Sequence, residues 1–337
     1  MRVFFTILLS FIFVSCVLHK STAWIDGKDS EYSEVRYFTA VGMGEDRQVA
    51  EDDALAGIAK VFKAKVESLS KDYIQSLTIM TENNHSANSQ EVFEQITKVS
   101  TDRVIKGVTI SKVTKKDNTY YALAVLDRIA AKNRLLETMM EIDEEISLSM
   151  KELDSTNNKI IKIRKLNLAQ VSLIKREAIN QDFRILSGSG QGYDPKYKIA
   201  DINNLLEKLL YNELIIKVKI SGDEASRVEN TVLEALAKNK FTVKKASFNK
   251  SADLLIEGNI TLSSLDHPNK EWFWYKYNVN INIIDLKEKQ TIATLSNLNG
   301  KEAQLTLDAA RIKAINTMEK RIMNELENKI SEYVFGK

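Results

Sequence analysis

From Arg128 the apolar residues take up helical spacing and keep it for nearly sixty residues, which constrains this chain more than any other feature. Leu135, Met139, Ile142, Ile146, Met150 and Leu153 form a seam in steps of three and four. Ser155-Thr156-Asn157-Asn158 interrupts it, and Ile160, Ile163, Leu166, Ile174 and Ala178 resume less regularly. Two readings stay open: a helical hairpin with arms of about 30 residues, each about 45 Å long, or a coiled-coil arm that pairs with another molecule. The weak second seam favours the hairpin. The only prolines, Pro195 and Pro268, leave room for long helices. Strand-like segments lie on both sides, so the expected class is α+β, with two small α+β domains joined by a long helical hairpin.

The expected divisions are 1–23 leader, 24–127 α+β domain, 128–187 hairpin, 188–212 linker and short helix, and 213–337 C-terminal α+β domain. In the first domain, Val35 to Val41 reads as extended and meets Gly42-Met43-Gly44, where two glycines permit a sharp turn with positive φ. A helix follows, with Glu45, Asp46, Glu51, Asp52 and Asp53 near its positive end. Its inward face is Ala50, Ala54, Ile58, Val61, Phe62 and Lys65, small residues first and large ones later. Val66 to Thr81 reads as a half-buried strand, from the alternation around Tyr73, Gln75, Leu77 and Ile79. A short helix is expected over 90–103. A hairpin follows, rising over Val104 to Ile110, turning at Lys116-Asp117-Asn118 and returning over Tyr120 to Leu126.

Ser187-Gly188-Ser189-Gly190-Gln191-Gly192 is the clearest linker. Beyond it come a short helix over Ile199–Leu210, a strand over Leu214–Ile220 and a helix over Asp223–Asn239. Strands are expected near Phe241–Phe248, Asp253–Ser264, Trp272–Asp285 and Gln290–Ser296. A closing helix from Thr306 to about Tyr333 places Ala310, Ala314, Met318, Ile322, Leu326 and Ile330 on one side.

The first residues bear on compartment. Arg2 precedes an apolar run, Val3 to Val14, and small residues follow, which is the layout of a secretory leader. The run ends before the roughly 20 apolar residues a spanning helix needs. Phe13-Val14-Ser15-Cys16 fits a loose lipobox, making Cys16 a candidate lipidation site. Ser21-Thr22-Ala23 fits ordinary signal peptidase, with cleavage before Trp24. Both routes stay open. Cys16 is the sole cysteine, so no intramolecular disulfide exists to hold the fold. Removing Arg2 and Lys20 leaves 46 basic and 46 acidic residues. A nucleic-acid partner would call for a basic patch, which this balance does not suggest.

Catalytic constellations are absent from the pattern. His85 and His267 stand far apart with no cysteine beside them, a poor zinc set. Gly42-Met43-Gly44 lacks the third glycine of a dinucleotide fingerprint and the ending of a phosphate loop. Asp52-Asp53 and Glu144-Glu145 are helical neighbours whose side chains diverge. No enzyme, cofactor or metal is expected. The most unusual local feature is Glu271-Trp272-Phe273-Trp274-Tyr275-Lys276-Tyr277. In a strand, Trp272 and Trp274 point one way while Phe273, Tyr275 and Tyr277 point the other. Such a strand is either central and buried or leaves one face for a partner, which makes Trp272 and Trp274 the candidate interaction surface.

Three blocks in the first domain carry a resemblance: Ala40-Val41-Gly42-Met43-Gly44, Ala50-Glu51-Asp52-Asp53-Ala54-Leu55-Ala56-Gly57-Ile58-Ala59-Lys60, and Val66-Glu67-Ser68. With the closing strand Tyr120 to Arg128 and the early aromatic Trp24, they resemble the Lpp-twenty family of bacterial envelope lipoproteins. The N-terminal domain of the flagellar assembly protein T family is similar as well. The resemblance covers residues 24–140. It implies an exported protein, either lipid-anchored at the periplasmic face of the outer membrane or free in the periplasm, with no known catalytic residues. It also implies a place in a larger envelope assembly. The function expected is that of a non-enzymatic structural or assembly component; the alternative is a periplasmic ligand-binding or peptidoglycan-associated module. Expected partners are envelope proteins, a membrane lipid anchor and, on the coiled-coil reading, a second copy through the hairpin.

Overall fold

The computed structural model describes residues 22–27, 29–81, 106–238, 241, 243–245, 251–266, 271–295 and 298–336, without the side chains of 65–81. Two compact units emerge. One comprises residues up to Arg134 together with Gln181–Gln191, the other Leu135–Asn180 with Gly192–Lys337. The class is α+β.

In the first unit, β1 (Tyr37–Gly44), β2 (Val108–Lys116) and β3 (Thr119–Asp127) form an antiparallel sheet in the order β1-β3-β2. Asp117 and Asn118, both at positive φ, make the β2–β3 turn where two residues tolerant of that region are needed. Helix α1 (Arg47–Thr81) is capped by Asp46, whose Oδ1 accepts the Val49 N–H at 2.9 Å. Ala50, Ala54, Ile58 and Phe62 are buried against the sheet, while Val61 stays half exposed at the rim.

Two expectations are corrected here. Gly42 and Gly44 do not turn the chain; they lie in β1 and neither has positive φ. They allow close approach instead. A Cβ on Gly42 would lie 2.1 Å from the Ala54 nitrogen and 2.4 Å from the Ala50 oxygen. The expected strand over Val66–Thr81 is the continuation of α1. Val66, Leu69, Tyr73, Leu77 and Met80 are also spaced by three and four, and no glycine or proline stops the helix. The helix expected over 90–103 lies outside the described residues.

The outer face of this sheet is closed by the N-terminal segment. Trp24, in a single 3-10 turn (Ala23–Asp26), is 5% exposed and packs with Leu123 and Val125, flanked by Ile25, Tyr32, Tyr37, Val41 and Tyr121.

Helices α2 (Arg128–Ser155) and α3 (Lys159–Leu186), 28 residues each, form the antiparallel hairpin. Asp127 caps α2, its Oδ1 accepting the N–H groups of Ile129 at 2.9 Å and Ala130 at 3.1 Å. The register is marked by pairs on facing arms: Arg128 Nε donates to the Leu186 carbonyl at 3.2 Å, and Arg176 Nε donates to Asp143 at 2.7 Å. Lys165 pairs with Glu152 near the turn. The expected seam is buried in this chain's own core through Ile146 and Leu153, with Ile142 and Met150 packed beside them.

The second unit has a six-stranded sheet. After α4 (Ile199–Glu207) and a widened π turn (Lys208–Glu213) come β4 (Ile216–Gly222), α5 (Ala225–Lys238), β5 (Val243–Lys245), β6 (Leu254–Leu265), β7 (Phe273–Asp285), β8 (Gln290–Leu295), β9 (Gly300–Gln304) and α6 (Leu307–Phe335). The order is β5-β4-β6-β7-β8, with β9 also on β7. β4 runs parallel to β5 and β6; β6, β8 and β9 are antiparallel to β7. Helices α5 and α6 contact the sheet. Ala314, Met318, Ile322 and Leu326 of α6 share one core with Tyr277, Val279, Ile281 and Ile283 of β7. Thr306 Oγ1 caps α6 by accepting the Ala309 N–H at 3.2 Å, and Gly336 closes it at φ 70°.

Buried polar links fix this core. Arg176, 1% exposed, also donates to the carbonyls of Tyr193 at 3.0 Å and Asp194 at 3.2 Å. That pins the chain leaving the glycine-rich linker. Lys159 pairs with Asp253 at 2.9 Å, and the Tyr333 hydroxyl donates to Asp285 at 2.7 Å. Burial, then the Asp285 carboxylate, push the Tyr333 hydroxyl up to about 12.

Candidate interaction surface

Strand β7 has thirteen residues and has strand partners on both sides except at 278–280 on one edge. β6 lies against one edge from Trp274 to Asp285, while β8 takes Ile281–Asp285 and β9 takes Phe273–Tyr277 on the other. Strict alternation follows. Tyr277, Val279, Ile281 and Ile283 enter the core, and Tyr275 packs at its margin. Lys276, Asn278, Asn280 and Asn282 take the opposite face.

The sequence singled out Trp272 and Trp274. Trp272 precedes the strand and is 43% exposed, as is Phe273. Trp274 is half-buried, with the Lys301 ammonium 5.3 Å from its ring centroid. The two residues therefore differ in setting: Trp274 is hemmed by both neighbouring strands, while Trp272 stands at the open end. There it has company. Leu265, Leu305 and Leu307 are exposed, and the pairings Leu265↔Trp274 and Phe273↔Gln304 bring them to the same end of the sheet. Cys16, His85 and His267 lie outside the described residues.

A second feature on the outward face escaped the sequence reading. Asn259, Thr261, Asn278, Asn280, Thr294 and Asn299, with Val279, line an open cleft of about 360 Å³. Register builds it: Asn259 stands opposite Asn280, Thr261 opposite Asn278, and Asn282 opposite Thr294. Asn278 Nδ2 donates to Thr261 Oγ1 at 3.2 Å, and Thr294 Oγ1 donates to Asn282 Oδ1 at 2.8 Å. Ser221 Oγ donates to Asn259 Oδ1 at 3.2 Å. β7 has no strand partner at 278–280 on its β8/β9 side, and Asn299 Oδ1 takes the Val279 N–H there at 2.9 Å. The legible signal was the alternation Asn278-Val279-Asn280-Ile281-Asn282-Ile283, an amphipathic strand whose polar half is one residue type.

Among the described residues no helix is long and apolar enough to cross a membrane, and no cluster of His, Cys, Asp or Glu could hold a metal ion. Comparison with known proteins adds a family for the first unit. Residues 23–127 match the LPP20 lipoprotein family. The LPP20 match covers less than half of the chain. It runs from Ala23, where Trp24 plugs the sheet, to Asp127, the last residue of β3 and the cap of α2. It thus encloses the three-stranded sheet with α1, and supports an exported envelope lipoprotein.

No curated protein matches the chain. Among solved structures, the secreted protein HP1454 of Helicobacter pylori is 13% identical, covering 85% of this chain and 98% of its own, at a TM-score of 0.35. A Helicobacter pylori structure described as a homologue of a neuraminyllactose-binding hemagglutinin is 12% identical, covering 38% of this chain and 88% of its own, at 0.28. A structure described as a lipoprotein from Caulobacter crescentus is 14% identical, covering 36% of this chain and 88% of its own, at 0.24.

Proposed function

We propose that this protein is a non-enzymatic component of a cell-envelope assembly, in which the LPP20 domain belongs to the exported lipoprotein part and the second unit supplies a docking surface for another envelope protein. One observation carries the reading. Leu265, Trp272, Phe273, Leu305 and Leu307 are exposed apolar residues at one end of the second sheet. Large apolar side chains left exposed at one end of a sheet point to an interaction site, and tryptophan and phenylalanine are enriched at the cores of such sites. The anchor on this reading is a lipid on Cys16.

A photo-crosslinking residue at position 272, introduced in the full chain in cells, tests the docking surface. A single adduct of fixed mass is expected at 272 and not at the exposed turn position 289. A monomer that yields no adduct, or the same ladder at both positions, would remove the assembly role. The intact mass of the mature N-terminus tests the anchor separately. An acylated Cys16 is expected, and a chain beginning at Trp24 would refute lipidation without touching the docking surface.

A further inference from the structure

We infer that the asparagine cleft on the outward face of the second sheet binds an uncharged saccharide. Asparagine is among the residues depleted in strands. Even so, β7 carries it at three successive outward positions, and β6 places Asn259 directly opposite the middle one. The solvated face of an antiparallel sheet is ordinarily served by threonine or charged side chains, which suit the pleat better. Packing does not account for the choice at Asn280, whose exposed side chain makes no hydrogen bond among the described residues. Departures from local preference concentrate at functional sites.

The lining selects the ligand class. Every side chain that reaches the cleft from the polar face is a carboxamide or a hydroxyl, and none is ionisable. A carboxamide offers one acceptor and two donors on neighbouring atoms, which complements adjacent sugar hydroxyls or an acetamido group. An anion would call for a cation or a helix N-terminus. A greasy ligand would call for apolar walls. An extended peptide would add to an unpaired strand edge, whereas the floor here is the face of β6 and β7, and at the short gap between β8 and β9 the Val279 N–H is already taken by Asn299 Oδ1. The volume, about 360 Å³, lies at the small end of small-molecule sites and suits one or two sugar rings. Asn299 is held with its Oδ1 on the Val279 N–H, so its amino group remains for a ligand.

This site is separate from the apolar end of the sheet and does not depend on a protein partner. The test titrates the full chain with three probes by ligand-observed NMR: the N-acetylglucosamine trimer, maltotriose and sialyllactose. Binding of at least one of the two neutral probes is expected, and which one responds distinguishes acetamido from hydroxyl recognition. Asn280→Asp, nearly isosteric and exposed, should weaken that binding tenfold or more. Asn280→Ser should also weaken it at least threefold, whereas Trp272→Ala should leave it within twofold. Silence from both neutral probes, retention of affinity in either Asn280 variant, or a preference for the acidic sugar would overturn the inference.

Discussion

The two sheets use the same inner solution and opposite outer ones. Each receives a helix whose buried face is small at its start and large further on: Ala50, Ala54, Ile58 and Phe62 in α1, Ala310, Ala314, Met318 and Ile322 in α6. On its other face the first sheet is apolar, with Leu123 and Val125 sealed under Trp24. The second sheet presents Asn259, Thr261, Asn278 and Asn280 to an open cleft. A face sealed from within the chain has no capacity left for a ligand. A face left open and lined by uncharged polar groups retains it. The difference assigns stability to the first outer face and recognition to the second.

The largest effect should come from unsealing the first sheet. Trp24→Ala removes the buried indole and leaves Leu123 and Val125 against a void, which should cost about 3–5 kcal/mol. The measurement is the urea midpoint of the full chain followed by tryptophan-independent circular dichroism. A loss under about 1 kcal/mol would show that the N-terminal segment only rests on the sheet. Next comes Gly42→Ala. The added Cβ would sit 2.1 Å from backbone of α1, which cannot move without lifting the helix, so a loss of about 1–3 kcal/mol is expected. A neutral result would mean that α1 adjusts freely.

These two sites also show what the sequence can and cannot disclose. The strands β6, β7 and β8 and the helix α6 were legible because alternation or helical spacing was unambiguous over their whole length. The span 66–81 was ambiguous in principle: Tyr73, Gln75, Leu77 and Ile79 step by two, while Leu69, Tyr73, Leu77 and Met80 fit a helix equally well. Continuity with α1 decided it. β9 is only five residues, Gly300–Gln304, with no β-branched residue, so nothing local announces it. The glycines at 42 and 44 were conspicuous, but a turn and a close helix contact ask for the same residue. The cleft depends on which strands neighbour β7, and register is a property of the folded sheet. Trp272 and Trp274 were conspicuous by composition, yet only the pairing with β9 separates an exposed indole from a hemmed one.

A smaller effect probes the strand-to-helix junction at the end of the LPP20 match. The Ala130 N–H, against the opposing effect of burial and with help from Arg36, holds the Asp127 carboxyl below its ordinary value of 3.8. A lowered folded value means that its contribution is present above the unfolded pKa and is lost as pH falls from about 4 through the folded value. Asp127→Ala should therefore cost about 1 kcal/mol at neutral pH and flatten the acid limb of the stability curve. An unchanged acid limb would show that the cap is made by something else.

The smallest effect is the sharpest for the comparison, because it is expected with the opposite sign. If the asparagines on β7 were there for the fold, replacing one should destabilise the sheet. If they were kept for a ligand, the strand should welcome a better strand former. Asn280→Thr retains a polar, solvent-facing group, suits the pleat and breaks no hydrogen bond among the described residues. It should raise stability by a few tenths of a kcal/mol, up to about 1 kcal/mol, seen as a small increase in melting temperature. Natural proteins commonly hold such unused stability at sites that serve binding. A clear loss on Asn280→Thr would place the asparagine ladder among the sheet's own structural supports and erase the contrast between the two outer faces.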